Sequence, residues 1–388
     1  MNGMGKNTLV RIAALVCMAS LLVGCSLVRV NPEKDRQLVI ATVNGEDILK
    51  SDFLDQYEQS KYYNGITDEA ENDPQYKDFI DQVKESILDS LIINKIVEQK
   101  AREAGYTVTE EDLVKAREET ISEWAEYLKS VDESQDAEVL TQEEYEQKAV
   151  ESLQQVAEER YTSVEDLIRT QAVAEQSQAF KDATLADQTA APAEVESYYQ
   201  ENLSSQQADI STISSADVIL YETEGVNGRY IRLKLDAEHQ AEYDNLADNE
   251  GAAASYLEDQ LYDRAVELKG EAMESDWDAM QEKYTDDPQI FMSTTSFDMR
   301  RGGAWEDAVI DPLMVLNPED ISDPMQHQGA YFIFRVDEQL HEKVYTLEEK
   351  QDEIQDFLDQ QKKDEKWTEL TAQWKDESDI KTYKGRIK

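Results

Sequence analysis

Three histidines and two cysteines are all the imidazole and thiol that the chain has for nucleophilic or metal chemistry. His239, His327 and His341 stand far apart, and no two have the spacing of a metal-ligand pair. There is no Gly-x-Ser-x-Gly elbow and no dense calcium loop. A serine, cysteine or zinc hydrolase is therefore poorly supported, and neither metal nor cofactor is expected. One thiol does have a context that suggests chemistry. Lys6 and Arg11 precede an uncharged, mostly apolar run from Ile12 to Gly24, which ends in Leu22-Val23-Gly24-Cys25. The run is too short to cross a bilayer, which takes about 20 residues. A short apolar core behind basic residues is the layout of a secretory signal. The final four residues look like a bacterial lipobox, in which the Cys is acylated and becomes the first residue of the mature protein. Residues 1–24 then form a signal peptide, and Cys25 is the lipid anchor on the outer face of a membrane. An ordinary signal with a chance Cys is the alternative. Cys17 falls inside the removed segment, so no disulfide is expected and stability must come from the core.

The charge sets further limits. There are 85 acidic and 38 basic residues, a formal net charge of −47. Such a surface repels nucleic acid and anionic lipid head groups, so nucleic acid is excluded as a partner. The acidity serves solubility, or it attracts basic or cation-bearing clients. With 40% hydrophobic residues the chain has enough apolar material for two or three buried cores.

The elements that must position any site follow from pattern. Residues 25–37 read as a polar tether. Leu38–Val43 reads as a strand, Asn44-Gly45 as a tight hairpin turn and Glu46–Leu49 as the return strand. Ser51 is placed to cap the helix that follows. Gln75–Ala104 carries Ile80, Val83, Ile87 and Leu91 on one stripe and Leu88, Ile92 and Ile96 on the next, a face wide enough to demand burial. Thr109 with Asp112 opens another helix. More helix is expected around Ile121–Leu128, Tyr145–Val156 and Ser163–Thr184, with Ser130–Gln142 as a loop. Pro192 starts a further helix. The small polar stretch Ser204–Ser215 reads as a linker. Ala216–Tyr221 and Arg229–Leu235 then read as strands, Ala252–Lys269 as a helix and Ala330–Val336 as a strand, which together describe a separate small α+β domain. Thr346 and Glu349 form a capping box for a long last helix, whose apolar positions Ile354, Phe357, Leu358, Trp367, Leu370 and Trp374 need a partner surface. Ile380–Tyr383 is placed to add a final strand.

Four stretches carry a resemblance: Val39–Ile48 with the helix start Ser51–Leu54; Ile87–Lys95 through Ala104–Thr109; Val195–Asn202; and the C-terminal helix ending Asp379–Tyr383. In this order, behind a lipobox, they resemble the bacterial PrsA/SurA foldase family, across most of the mature chain. The resemblance implies an α+β fold. A mainly helical chaperone domain is built from the N- and C-terminal segments (38–204 and 340–388), and a parvulin-like prolyl isomerase domain is inserted at 215–339. It implies unfolded or newly exported proteins as partners, and it leaves open a homodimer.

A prolyl isomerase lowers the rotational barrier of an X-Pro amide, about 20 kcal/mol, without nucleophile or metal. Parvulins offer an apolar socket and a polar cluster with two histidines, one in a first strand of the form His-Ile-Leu, one in a last strand of the form Gly-Tyr-His-Ile. Here the first candidate strand, Ala216–Leu220, has Val218 in the His place, and Arg229–Leu235 holds no His either. The last strand has Phe332 in the second His place. By resemblance the catalytic candidates are Asp286 and Asp287, in the loop where parvulins often place an Asp or Cys; a surface turn before Pro288 is the other reading. Phe297, Ile310, Met314 and Phe332 are candidates for the socket or for ordinary core. His327 either substitutes for the lost cluster or is a solvated turn residue, and Arg300-Arg301-Gly302-Gly303 is a substrate rim or a plain turn. Three functions follow: a foldase with a working isomerase, a holdase or scaffold with a silent one, and, from another class, a solute-binding lipoprotein. The last would alternate strands and helices in two lobes, unlike the long helical run from Gln75 to Thr184.

Overall fold

The computed structural model describes residues 31–71, 73–134, 140–246 and 249–387. Cys25 and the signal segment lie outside the described residues. In chain order the elements are α1 (Pro32–Arg36), β1 (Val39–Val43), β2 (Glu46–Leu49), α2 (Lys50–Asn64), α3 (Asp68–Glu71), α4 (Lys77–Glu103), α5 (Glu110–Ser134), α6 (Gln142–Glu159), α7 (Val164–Thr184) and α8 (Pro192–Ala208). After a 3-10 segment (Ile210–Ser215) come β3 (Tyr221–Glu222), β4 (Gly225–Lys234), α9 (Ala237–Asp244), α10 (Glu250–Glu274), α11 (Trp277–Tyr284), β5 (Ile290–Met292) and β6 (Phe297–Arg300). Last are α12 (Asp307–Leu313), β7 (Met325–His327), β8 (Ala330–Leu340), β9 (Lys343–Val344), α13 (Leu347–Glu377) and β10 (Ile380–Thr382). The fold is α+β and mainly helical. Two compact units divide it, one ending at Gln188 and resuming at Lys363, the other Thr189–Lys362, so the chain passes between them within α13.

In the first unit a three-stranded antiparallel sheet, ordered β10-β1-β2, joins both chain ends. The β1–β2 turn uses Asn44 and Gly45 at φ 52° and 86°, the left-handed pair that a two-residue hairpin needs. Ile40, Val43, Ile48, Phe53 and Tyr57 pack with Ile80, Ile87, Leu88, Leu91, Ile92 and Ile96 of α4 in one core, so both stripes of that helix are buried. Helix α2 begins at Lys50, not after Ser51: Leu49 is the residue before it, and the Asp52 carboxylate accepts from the Leu49 N–H at 3.3 Å. Thr109 and Asp112 do cap α5, with the Thr109 N–H donating to Asp112 at 2.7 Å and the Asp112 N–H to the Thr109 hydroxyl at 3.3 Å. The loop expected from Ser130 is still helix as far as Ser134. Trp367 and Trp374 of α13 pack against Phe180.

In the second unit β4 and β8 pair antiparallel over their whole lengths; β7 extends the sheet beyond β8, and β5 and β6 both pair with the far edge of β4. Odd residues of β4, Ile231 and Leu233, face Leu257, Leu261, Leu268 and Met280 of α10 and α11. The opposite face carries Tyr230, Phe332 and Phe334 against Val309 and Leu313 of α12. Two expectations fail here. Ser204–Ser215 is no linker but the end of α8 and a 3-10 turn. Val218 and Leu220 lie on no strand: they are buried with Val195 and Ile354 between α8 and α13. The reason is Gln206, itself 2% exposed, whose amide donates to Val218 O at 2.9 Å and accepts from Leu220 N at 2.9 Å. One side chain thus replaces the ladder that a strand would have supplied.

The hairpin junction of the first unit yields a test. Gln99 is 7% exposed; its amide donates to Val43 O at 2.9 Å and accepts from Asn44 Nδ2 at 2.8 Å, while Asn44 Oδ1 accepts from Asp379 N at 2.9 Å. Q99L keeps the volume and removes both bonds. It is expected to lower the urea midpoint by the equivalent of about 1–3 kcal/mol at unchanged slope; an unchanged midpoint would show that the junction does not stabilise this unit.

Candidate functional site

The second unit holds a recess of about 840 Å³ between the β4 edge and the segment running from β6 to Trp305. Its apolar wall is Tyr230, Phe291, Phe297 and Trp305. Tyr230 is the hub: its ring centroid lies 5.4 Å from Phe332, 5.5 Å from Phe297, 5.6 Å from Phe291 and 5.8 Å from Trp305. The spacings and the edge-on contact to Phe297 suit the quadrupoles of aromatic rings. Strand alternation puts Tyr230 on this face, because Ile231 and Leu233 are claimed by the helices behind. The β4 edge is fixed by Ser293, 7% exposed: its hydroxyl accepts from Tyr230 N at 2.9 Å, and its own N–H donates to Tyr230 O at 3.0 Å. Trp277 Nε1 donates to Ser293 O at 3.1 Å from the other side.

The rim is charged but internally satisfied. Arg300 pairs with Glu222 at 2.9 Å and donates to Thr223 O at 2.6 Å. Arg301 pairs with Glu224 at 3.1 Å and with Asp307 at 3.5 Å, and also reaches Asp311. Gly302 adopts φ +75°, and a Cβ there would stand 2.7 Å from Ile210 O, so the turn needs glycine. The Arg-Arg-Gly-Gly segment therefore does line the recess, with both guanidinium groups held by carboxylates.

The candidates from sequence separate. Phe297 lines the recess, and Phe332 meets Trp305 edge-on and Tyr230 at a tilt beside it. Met314 packs, half-buried, against the same cluster, while Ile310 is fully buried in α12 and absent from the recess wall. Asp286 is exposed and Asp287 half-buried in the turn between α11 and β5. Asp287 accepts from Gln289 N at 2.9 Å and its N–H donates to Tyr284 O at 3.1 Å; neither Asp lines the recess. His327 is not solvated: it is 7% exposed, 5.1 Å from Trp305 and 5.8 Å from Phe332, ring to ring. The first long strand of the sheet is Gly225–Lys234, so Val218-Ile219 lies outside the sheet and Tyr230-Ile231 within it. Tyr230, Phe291, Trp305 and Ser293 were not among the residues expected at the site. The alternation Tyr230/Ile231/Arg232/Leu233 was the signal for the first of them. Nothing local marks Trp305 or Ser293.

The first unit has a recess of its own, about 930 Å³, lined by Leu91, Asp55, Arg160, Lys181 and Trp367 among others. Asp55 holds both Arg36 and Arg160, the latter at 3.6 Å, and Lys181 sits 5.3 Å over the Trp367 ring. Among the described residues no group of three or more His, Cys, Asp or Glu is arranged to hold a metal, and no helix is long and apolar enough to cross a membrane.

Residues 2–142 match the family described as the SurA-like N-terminal domain. The chain is 24% identical to the foldase protein PrsA of Clostridium botulinum (strain 657 / Type Ba4), across 97% of this chain and 98% of the relative. Over 109 residues it is 33% identical to PrsA of Caldanaerobacter subterraneus subsp. tengcongensis, covering 25% of this chain and 34% of that one. Among solved structures, the SurA-like chaperones PEB4 and Cj1289 of Campylobacter jejuni give 9% identity and a TM-score of 0.33, covering 89% of this chain and 98% of that one. PrsA of Lactococcus lactis gives 12% and 0.26, covering 90% and 96%. A SurA-like N-terminal domain with full-length foldase relatives defines a protein of the folding-assisting class. Residues 2–142 thus carry a SurA-like N-terminal domain, and over nearly its whole length the chain is similar to PrsA foldases.

One charged contact near the rim titrates. The hydrogen bond from Tyr345 to the Glu222 carboxylate, aided by burial, pushes the phenol up to about 12. A phenol raised on folding stabilises below its unfolded value near 10, and that contribution fades as pH climbs through the folded value. Y345F should melt lower than wild type near pH 9, and the gap should close by about pH 12. A gap that persists there would mean the bond contributes nothing through titration.

Proposed function

We propose that this protein is a lipid-anchored extracytoplasmic foldase that holds unfolded or newly exported chains, and that its recess takes apolar or prolyl side chains without efficient isomerisation. The observation that carries the reading is the aromatic pair Tyr230 and Phe332, ring centroids 5.4 Å apart on two paired strands that hold no histidine. Phe332 offers contact area and no exchangeable proton, and Tyr230 offers a single phenolic O–H in place of an imidazole. Holding needs no catalytic group, only exposed apolar surface, and Phe291 at 46% exposure supplies part of it. In this reading residues 38–204 with 340–388 work as the chaperone part and 215–339 as a parvulin-like part, with Phe297, Met314 and Phe332 facing or backing the client. Export by residues 1–24 and acylation of Cys25 place the molecule where clients leave the translocon. One acyl chain binds membranes weakly and several bind firmly, so the anchor requires full lipidation. A homodimer is compatible with this arrangement.

A second reading keeps isomerase activity and assigns it to the exposed Asp286 and the half-buried Asp287 beside it. Proline-limited refolding of a soluble form starting at Ser26, alongside a proline tetrapeptide assay, separates the two. The expected result is suppressed aggregation of an unfolded client with little or no rate increase. A clear acceleration that disappears in the D286A/D287A variant would replace the holding reading with a working isomerase. Loss of both activities would reopen the solute-binding alternative. Separately, C25S expressed in a bacterium with lipoprotein processing should move the protein from the membrane fraction to the soluble exported fraction; retention in the membrane would rule out Cys25 as the anchor.

A further inference from the structure

The second unit contains six arginines, and among the described residues five of them meet a carboxylate. Arg229 and Arg335 share Asp337 at 3.3 and 3.2 Å, Arg264 meets Glu267 at 2.9 Å, and Arg300 and Arg301 are held at the rim. Arg232 alone of the six meets no carboxylate among the described residues. It is half-buried on β4, its guanidinium lies 5.4 Å over the Phe291 ring, and its Nε, like those of Arg229 and Arg335, is shielded from solvent without a hydrogen-bond partner. In a chain with 85 acidic residues an arginine left without a carboxylate is a departure that needs a cause. A buried donor without an acceptor is costly, and a planar guanidinium is matched by a carboxylate.

Position supplies the cause. Arg232 sits two residues from Tyr230 on the same strand face, about 7 Å along the chain. Its cross-strand neighbours are Phe291 on one side and Phe332 on the other. A cation thus stands beside the aromatic recess at the separation of residues i and i+2 in an extended peptide.

We infer that Arg232 is a specificity residue that receives a client carboxylate two positions from the apolar side chain held in the recess. The inference rests on the recess reading above and narrows it to clients in which an Asp or Glu alternates with an aromatic or aliphatic residue. A chain-terminal carboxylate has the same chemistry, so the probes are amidated to leave only the side-chain group, and one free-acid probe lacking Glu serves as the other source.

The test uses the full-length chain and dye-tagged, capped pentapeptides read by fluorescence anisotropy. Wild type should bind Gly-Glu-Ala-Phe-Gly about tenfold more tightly than Gly-Gln-Ala-Phe-Gly, the scale of one charge-assisted hydrogen bond. It should also prefer the first peptide to Gly-Ala-Glu-Phe-Gly, and the preference should shrink with added salt. R232Q should abolish the Glu preference while leaving the Gln peptide unchanged, and R232K, which keeps a charge without the fork, should retain part of it. Equal affinity for Glu and Gln peptides in wild type, or a preference that survives R232Q, overturns the assignment. So does a stronger response to the free-acid probe than to the Glu peptide. W305A addresses the recess itself. If it weakens the Gln peptide while wild type shows no Glu preference, the recess stands and Arg232 is wrongly assigned. If it changes nothing, or no peptide binds wild type, the recess reading falls and the inference with it.

Discussion

Strand β1 is the interaction on which the first unit depends, because its two neighbours come from opposite ends of the chain. On one side it pairs with β2 across a two-residue turn; on the other, Ala41, Thr42 and Val43 pair with Thr382, Lys381 and Ile380. The closure has side-chain support on both sides. Asn44 receives the Asp379 N–H and reaches Gln99, which in turn serves the Val43 carbonyl. Ile380, Ile387 and Trp374 then complete the core built on α4. Closing so long a loop is less prohibitive than it looks, since the entropic cost grows only with the logarithm of length. The kinetic consequence is larger. Until β10 arrives, β1 presents an open edge, and the core lacks its last members.

What was legible in the sequence was what is decided locally. Asn44-Gly45 can adopt left-handed angles, and the structure uses them there. Thr109 with Asp112 and Thr346 with Glu349 are reciprocal caps that need no distant partner, and both form, the second with Thr346 N donating to Glu349 at 2.7 Å. The double stripe on α4 is wide enough to announce its own burial. Ser51 was misread because Asp52, one residue on, reaches back to the Leu49 N–H and starts the helix earlier.

The rest depends on distant contacts that pattern does not reveal. Ser204–Ser215 has linker composition, yet Gln206 within it is almost fully buried and supplies the backbone bonds of Val218, Leu220 and Tyr221. That same substitution of a side chain for a strand partner made Ala216–Tyr221 read as a strand. His327 looked solvated because it precedes a turn glycine; its burial is imposed by Trp305, which is 22 positions away in sequence and is brought close by the α12 excursion. Of the site, Phe297, Met314 and Phe332 were visible as apolar residues, and their common cluster was not. Tyr230 lay inside the expected strand Arg229–Leu235 and was not singled out, because its ring partners come from distant segments.

The chemistry of the recess follows from how the sheet spends its two faces. One face of β4 is committed to α10 and α11, so the recess forms on the other, where Tyr230, Phe332 and Phe334 are already in mutual contact. Phenyl and phenol rings close that cluster with dispersion and edge-on contacts, and the Tyr230 hydroxyl is its one polar atom among these three side chains. Charge is likewise spent before a ligand arrives: Arg300 and Arg301 are tied to Glu222, Glu224, Asp307 and Asp311, so the rim presents ion pairs already neutralised. Such a surface attracts by area more than by field. It suits clients whose shared property is exposed apolar surface, and it leaves discrimination among them to whatever polar group near the aromatic wall is still unpaired.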